Sequence, residues 1–319
     1  EDTPHTAVKF VELLVEAGVP RGVVNLLHGR GEEAGAALVR HPDVRLVSFT
    51  GSCAVGREIA AQCGRDLKRV SLEMGGKNAE IVMEDADLEL ALEGALWGAF
   101  GTTGQRCTAT SRLILHRDIK KAFTEKLVAR AEKIKIGDGL NEEVEMGPLI
   151  NDAAVEKVQG YVQVGKKEGA RLLTGGSPCR DKTLQRGFFF QPTVFDRVTP
   201  QMRIAKEEIF GPVVSIIEVK NFEEAVTVLN GTAYGLSSSI YTRDVARAFR
   251  AIRNLEAGIT YINGPTIGAE VHLPFGGVKD TGNGHREAGT TVIDIFTEWK
   301  TVYVDYSGKL QKAQIDNVD

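Results

Sequence analysis

The feature that most constrains the fold of this sequence is an alternation of short β-branched runs with amphipathic helical segments. Residues 23–27, 45–50 and 68–73 are predicted strands, and residues 32–40 and 54–62 are predicted helices. Strands that alternate with helices over short connections favour a parallel sheet with helices on both faces. We therefore predict an α/β fold, and we expect ligands to bind at the carboxyl ends of these strands.

A second α/β series is predicted to follow a long, strongly apolar helix at residues 88–100. Its strands are predicted at residues 111–116, 170–176, 211–219, 237–242 and 258–263. Its helices are predicted, from the helical spacing of apolar side chains, at residues 119–134, 153–169, 222–231 and 244–255. The last recognisable element, residues 299–307, alternates like a strand but stands alone, so we expect it to pair with a strand from elsewhere.

Composition excludes several classes of function. The 319 residues are 42% hydrophobic and 26% charged with a formal net charge of −4, which gives no electrostatic footprint for nucleic acid. No apolar run approaches the roughly 18 residues needed to span a bilayer, so no membrane is expected. The four cysteines form no CxxC pair and the six histidines show no HxxxH spacing, so we expect neither disulfides nor a metal. Lone thiols favour a cytoplasmic location.

The stretch GTTGQRCTATSR, residues 101–112, places Cys107 among glycines and small polar residues. A nucleophilic cysteine must be accessible and must form a thiolate, which the neighbouring Arg106 would favour if its side chain points toward the sulfur. The backbone amide of Cys107 could donate to a developing oxyanion. The local sequence alone slightly favours the alternative, a buried structural cysteine in a turn.

Glu73 closes a predicted strand and is followed, after Met74, by two glycines. A carboxylate at this end of a parallel sheet, with a raised pKa, would suit a general base. A strand-end glutamate that forms a salt bridge or caps amides is the alternative, and the residue alone favours that alternative.

Three further segments suit a nucleotide, and two of them also have an ordinary structural explanation. In FTGS, residues 49–52, a strand ends and a helix begins at Ser52, so free amides there would suit a phosphate or Ser52 simply caps the helix. HGRGEEAG contains G-x-G-x-x-x-G, one residue longer than the dinucleotide fingerprint. In AKEEIFGPV, residues 205–213, a glutamate could bind a ribose or form part of a surface acidic pair.

Together, these motifs resemble the aldehyde dehydrogenase superfamily. FTGS, LEMGGKNA, GQRC, KEEIFGPV and PFGGVKDTGNG occur in the family's order, and 34 residues separate Glu73 from Cys107. The resemblance implies that Cys107 is the nucleophile and Glu73 the general base. It also implies that the Cys107 thiolate attacks an aldehyde to give a thiohemiacetal, that hydride passes to NAD to leave a thioester, and that Glu73 activates the water that releases the carboxylic acid.

The same resemblance implies NAD as the cofactor. Ser52 matches the residue that contacts the pyrophosphate, Glu208 the glutamate that holds the nicotinamide ribose, and Phe210 the aromatic beside the nicotinamide. Gly31 and Gly35 match glycines near the adenine. Glu1 matches a glutamate that bonds the adenosine ribose and would repel a 2′-phosphate, so NADP is less favoured. The implied cofactor residues are Glu1, Gly31, Gly35, Thr50, Gly51, Ser52, Val55, Glu208 and Phe210.

The substrate that the resemblance implies is a carboxylate-bearing semialdehyde, such as α-aminoadipic or α-ketoglutaric semialdehyde. Arg106 could bind the carboxylate in a bidentate manner, and Glu270 could meet a substrate ammonium. An Arg106 that points away and a Glu270 in a loop salt bridge are equally compatible with the sequence. The implied substrate residues are Arg106, Thr108, Gly268, Ala269, Glu270 and Phe275.

The resemblance covers essentially the whole chain but lacks the family's first part, on the order of 150 to 200 residues. We expect residues 1–75 to belong to the NAD-binding domain, residues 76–285 to form the catalytic domain, and residues 286–319 to return with an oligomerisation strand at 301–308. The implied partners are the N-terminal remainder of the same enzyme and further copies, in a homo-dimer or tetramer.

Two alternatives remain at this stage. Family members that transfer the acyl group to coenzyme A resemble this pattern but usually lack a base at the position of Glu73, so its presence favours hydrolysis. The chain could also be a truncated, non-catalytic subunit that pairs with full-length chains through residues 301–308.

Overall fold

The computed structural model describes residues 1–310 and has the predicted mixed α/β architecture. Its first part comprises α1 (Pro4–Glu16), a π-helical turn (Gly31–Gly35), α2 (Ala36–Arg40), β1 (Leu46–Thr50), α3 (Cys53–Arg65) and β2 (Arg69–Glu73). β1 and β2 pair in parallel and α3 packs on both. Because the strands are parallel and in register, their carboxyl ends, Thr50 and Glu73, lie side by side.

A larger sheet of seven strands forms the centre of the described chain. Its strands are β3 (Ala79–Val82), β4 (Arg112–His116), β5 (Arg171–Thr174), β6 (Thr193–Asp196), β7 (Val213–Val219), β9 (Ser237–Tyr241) and β10 (Ile259–Ile262). The strand order is β10-β9-β3-β4-β7-β6-β5, and only β5 runs antiparallel to its neighbour. Two short strands, β8 (Tyr234–Gly235) and β11 (Val278–Lys279), form a separate antiparallel pair.

Helices cover both faces of the large sheet, as the alternation predicts. They are α4 (Leu88–Phe100), α5 (Arg117–Ala131), α6 (Asp152–Lys167), α7 (Arg203–Lys206), α8 (Phe222–Asn230) and α9 (Val245–Asn254), and α10 (Val292–Phe296) follows later in the chain. Apolar side chains of α4 and α5 form one core cluster with Val82 and Leu113, while those of α6 and α8 form the other with Ile81 and Ile114. Alternate residues of β3 and of β4 thus supply the two clusters. No helix in the described residues is long and apolar enough to cross a membrane.

One predicted strand, residues 23–27, is wrong for this chain, and another, residues 301–308, is not tested because it was expected to pair with a second copy. Residues 23–27 form only an isolated bridge from Arg21 to Val24, and Leu27 is exposed. The predicted oligomerisation strand at 301–308 is irregular, and its apolar side chains are exposed. A β-strand needs a ladder partner for its backbone groups, and neither segment has one within residues 1–310. Pairing of residues 301–308 with a second copy stays a prediction.

Candidate active site

Glu73 is the last residue of β2, and a backbone hydrogen bond joins it to the residue that follows the neighbouring strand β1. Its carbonyl accepts the N–H of Gly51 at 3.0 Å. Its side chain is inside the protein: the residue is 3% exposed, and neither carboxylate oxygen has a hydrogen-bond partner within residues 1–310. Burial raises the pKa of the carboxyl to about 8; the charge of Glu287 adds to this and that of Arg286 opposes it. Glu73 can therefore hold or release a proton near neutral pH.

Cys107 follows α4 in a turn that depends on unusual backbone conformations. Thr103 and Gly104 have φ values of 57° and 66°. A Cβ on Gly104 would overlap the carbonyl oxygen of Gly211, so this turn can pack on the 211 backbone only with glycine there. The turn leaves Cys107 half-buried, so its thiol is neither fully exposed nor sealed in the core.

The thiol of Cys107 lies within the field of two carboxylates. Burial raises its pKa first, and the charges of Glu73 and then Glu208 raise it further. The backbone amides of Thr108 and of Cys107 itself lower the pKa of the thiol. The structure thus brings Cys107, Glu73 and Glu208 into one site, although they are distant in sequence. The two carboxylates disfavour the thiolate, and the two amides favour it.

The backbone of Gly75 and Gly76, which carries no side chains, lies between Cys107 and Glu208. The N–H of Gly76 donates to Oε1 of Glu208 at 3.0 Å. A Cβ on Gly75 would overlap the Glu208 carboxylate, and a Cβ on Gly76 would overlap the carbonyl oxygen of Cys107. This close approach explains the paired glycines of LEMGGKNA. Burial raises the pKa of Glu208, and the Gly76 N–H opposes that effect.

Most of the residues expected to hold a cofactor lie on open surface. At the start of α3, Oγ of Ser52 accepts the N–H of Val55 at 3.3 Å. Gly31 and Gly35 bound the π-helical turn, where a Cβ on either would meet nothing within 4 Å. Gly35 is half-buried, and seven of these residues are exposed: Glu1, Gly31, Thr50, Gly51, Ser52, Val55 and Phe210. An exposed helix start, an open glycine surface and the Glu208 carboxylate suit the phosphate, adenosine and ribose of a dinucleotide.

Most of the predicted substrate residues lie on one segment that spans the site. Thr108 is buried, and its carbonyl accepts the hydroxyl of Thr266 at 2.7 Å. The exposed loop Gly268–Ala269–Glu270 follows Thr266 after one buried residue, Ile267. Further along, Phe275 is half-buried and precedes Gly276, where a Cβ would lie 2.7 Å from Oε1 of Glu73. This segment therefore runs from the Cys107 turn to the Glu73 carboxylate.

Arg106 lies in a different part of the site. It is exposed and lines a narrow cavity together with Gly76, Glu208 and Phe210. Its neighbours are thus residues expected to hold the cofactor, rather than the 268–270 loop. This position leaves Arg106 beside the nucleophile turn but does not bring it to Glu270.

Sequence reasoning missed three residues of the site. Lys77 is fully buried, its Nζ has no hydrogen-bond partner within residues 1–310, and burial lowers its pKa to about 7. Asn78 bonds the Cys107 turn. Glu287 raises the pKa of Glu73 and accepts the hydroxyl of Ser48 at 2.9 Å. Lys77 and Asn78 stand in the recognised LEMGGKNA motif, whereas no pattern in the sequence marks Glu287. In the described part of the chain, no group of three or more His, Cys, Asp or Glu residues is arranged to hold a metal.

Comparison with known proteins gives consistent matches. The model described as "Aldehyde dehydrogenase family" matches residues 1–302. The chain is 44% identical over 303 residues to α-ketoglutaric semialdehyde dehydrogenase of Bacillus subtilis strain 168, and 45% identical over 304 residues to betaine aldehyde dehydrogenase of Sinorhizobium fredii. Each alignment covers 95% of this chain but 62% of the relative, so the chain spans less than two thirds of these proteins.

A solved structure matches as well. The betaine aldehyde dehydrogenase of Staphylococcus aureus in complex with NAD+ superposes with a TM-score of 0.87 at 37% identity. The match covers 91% of this chain and 57% of that protein.

Proposed function

Because the chain belongs to the aldehyde dehydrogenase family, we propose that the protein oxidises an aldehyde to its carboxylic acid with NAD through a covalent intermediate on Cys107. The observation that carries the proposal is the proximity of the Cys107 thiol to the Glu73 carboxyl. A half-buried thiol lies in the field of a buried, unpartnered carboxylate, Glu73. Formation of an acyl intermediate requires a nucleophile that can ionise, and its hydrolysis requires a base that can accept a proton from water.

Cys107 acts as the nucleophile. Its thiolate adds to the aldehyde carbon and gives a thiohemiacetal, and the amides of Thr108 and Cys107 favour the anion that makes this attack. NAD, when bound, supplies the acceptor for the hydride that the adduct loses. Glu73 then takes a proton from water, which attacks the thioester and releases the acid. Glu73 favours this hydrolytic outcome over transfer to coenzyme A.

The residues proposed to hold NAD are Glu1, Gly31, Gly35, Thr50, Gly51, Ser52, Val55, Glu208 and Phe210. Their open surface and the exposed start of α3 support this assignment. The NAD+ complex of the Staphylococcus aureus relative supports it further. The carboxylate of Glu208 would accept the hydroxyl groups of the ribose, an interaction that the ionised form favours.

We assign the substrate to carboxylate-bearing semialdehydes. The name of the Bacillus subtilis relative supports this class. Arg106 lies beside the nucleophile turn, on the side of Glu208 and Phe210, and would supply a guanidinium for the carboxylate from there. The Sinorhizobium fredii relative is named for a cationic aldehyde, so a comparison of an anionic and a cationic substrate tests the assignment.

The experiment uses the full-length protein and follows NADH formation with α-ketoglutaric semialdehyde, betaine aldehyde and acetaldehyde. We expect the highest kcat/KM with the semialdehyde, and we expect Cys107→Ser to abolish turnover with every aldehyde. Cys179→Ser is the matched control, because Cys179 is also a half-buried free thiol. Turnover that survives in Cys107→Ser would overturn the covalent mechanism, and a preference for betaine aldehyde would overturn the substrate assignment alone.

A further inference from the structure

Asn283 fastens a distant part of the chain to β2, the strand that ends in Glu73. Its Oδ1 accepts the N–H of Leu72 at 3.1 Å, and its Nδ2 donates to the carbonyl oxygen of Val70 at 2.8 Å. The carboxamide therefore presents to β2 the same pair of groups, one donor and one acceptor, that a neighbouring strand would present. Because β1 occupies the other edge of β2, Asn283 serves the edge that the two-stranded sheet leaves free.

The two residues before Asn283 continue this contact along β2. The N–H of Met74 donates to the carbonyl oxygen of Thr281 at 2.7 Å, and Glu73 forms an antiparallel bridge with Gly282. Thr281 is fully buried, and its hydroxyl accepts a backbone N–H of β8 at 2.9 Å. The free edge of β2 is therefore covered up to its last residue, and the covering segment is itself anchored on its far side.

The Glu73 carboxylate lies against glycines that closely precede Asn283. A Cβ on Gly276 would lie 2.7 Å from Oε1 of Glu73. A Cβ on Gly282 would lie 4.0 Å from the same oxygen and 2.7 Å from the carbonyl oxygen of Leu72. Neither carboxylate oxygen has a hydrogen-bond partner within residues 1–310. The position of the carboxylate therefore depends on how closely this glycine backbone is held to β2.

We propose that Asn283 is a positioning residue for the base: by fastening residues 281–283 to β2, it keeps the glycine backbone against the Glu73 carboxylate. The inference rests on the role proposed for Glu73, and it assigns to Asn283 an effect on deacylation, beyond its effect on the stability of the fold. Without the carboxamide, the edge of β2 loses its partners at Val70 and Leu72. Water then enters at this edge, and the carboxylate is held less closely.

The nucleophile is held by different contacts. Asn78 donates to the carbonyl oxygen of Cys107 at 2.7 Å, and the hydroxyl of Thr266 donates to that of Thr108 at 2.7 Å. Both carbonyls lie in the turn that precedes β4, whereas the side chain of Asn283 bonds β2. Loss of the Asn283 carboxamide should therefore slow the step that needs the base and leave acylation of Cys107 nearly unchanged.

Asn230 provides a matched control. Its Nδ2 donates to the carbonyl oxygen of Asn254 at 2.8 Å, and its Oδ1 accepts the N–H of Glu256 at 2.9 Å. Like Asn283, it joins one carboxamide to two backbone groups that are two residues apart, but it does so at the end of α9. A merely structural role for Asn283 predicts that Asn283→Ala and Asn230→Ala have similar effects on the reaction. The positioning role predicts an effect for Asn283→Ala alone.

The test treats the full-length protein with p-nitrophenyl acetate, without aldehyde or NAD. The burst of p-nitrophenol measures acylation, the steady release that follows measures deacylation, and mass spectrometry locates the acetyl group. We expect Asn283→Ala to slow deacylation about tenfold and to change the burst rate less than about twofold. Asn230→Ala should match wild type in both steps. Asn283→Gln, which keeps the carboxamide on a longer arm, should fall between, and it serves as the test variant if Asn283→Ala does not fold.

Unchanged deacylation in the folded Asn283 variants, an equal slowing of both steps, or the same slowing in Asn230→Ala would overturn the inference alone. So would unchanged hydrogen exchange of the Leu72 amide in Asn283→Ala, because that amide should exchange faster once its acceptor is removed. A wild-type protein with no acetyl group on Cys107, or unchanged deacylation in Glu73→Gln, would instead overturn the proposed function and this inference with it.

Discussion

The pKa of Glu73 predicts how fast the acyl enzyme hydrolyses at each pH. Burial raises this pKa from 4.5 to about 8, so the carboxyl is protonated below pH 8 and becomes a base above it. At pH 7 about one tenth of the molecules hold the ionised form, and at pH 9 about nine tenths do. We therefore expect the rate of deacylation to rise about tenfold between pH 7 and pH 9, with a midpoint near 8.

The assay must separate Glu73 from Cys107, because the pKa of the thiol is raised as well. Once the sulfur is acylated it no longer titrates, so single-turnover deacylation after treatment with p-nitrophenyl acetate follows the base alone. Glu73→Gln should deacylate about 10²- to 10⁴-fold more slowly and without the rise near pH 8. Glu142→Gln removes an exposed carboxylate outside the candidate site and should match wild type. A midpoint near 4.5, or the same pH profile in Glu73→Gln, would refute this reasoning.

Three further predictions follow from the same contacts. Glu287→Gln removes a like charge and should move the deacylation midpoint to lower pH; no shift, or a shift upward, contradicts the charge coupling to Glu73. Gly104→Ala places a Cβ at positive φ against a backbone carbonyl and should lower the denaturation free energy by about 2 kcal/mol or more, whereas Gly160→Ala, in open space on α6, should not lower it. Arg106→Ala should reduce kcat/KM for the semialdehyde at least about tenfold more than for acetaldehyde, and equal losses would exclude a carboxylate contact.

The fold was predictable where segments are long or strongly periodic. The helix at 88–100 and the strand β4 match their predictions closely, because their apolar side chains are numerous and buried. The four-residue strands β3 and β6 were missed, although β3 lies inside the sheet. Glu80 interrupts the apolar run of β3, and this carboxyl is fully buried, a position that no local pattern would predict.

The candidate site was predictable where glycines and motifs mark it. Paired glycines next to Glu73 and the glycine-rich turn before Cys107 both correspond to close backbone approaches. The roles of Glu287 and Asn78 depend on contacts that only the folded chain creates. Glu287 acts on Glu73 from 214 residues away in the sequence, and Asn78 donates to the carbonyl oxygen of Cys107 from 29 residues away. Periodicity and spacing contain no information about either.

The most direct test of the central claim is to locate the acyl group. The full-length Glu73→Gln protein is mixed with aldehyde and NAD, quenched in acid and digested, and the peptides are sequenced by mass spectrometry. The account predicts the acyl mass on the peptide that contains Cys107, together with one equivalent of NADH for each site. Formation of NADH with no acylated peptide, or with the acyl group on Cys53, Cys63 or Cys179, would contradict it.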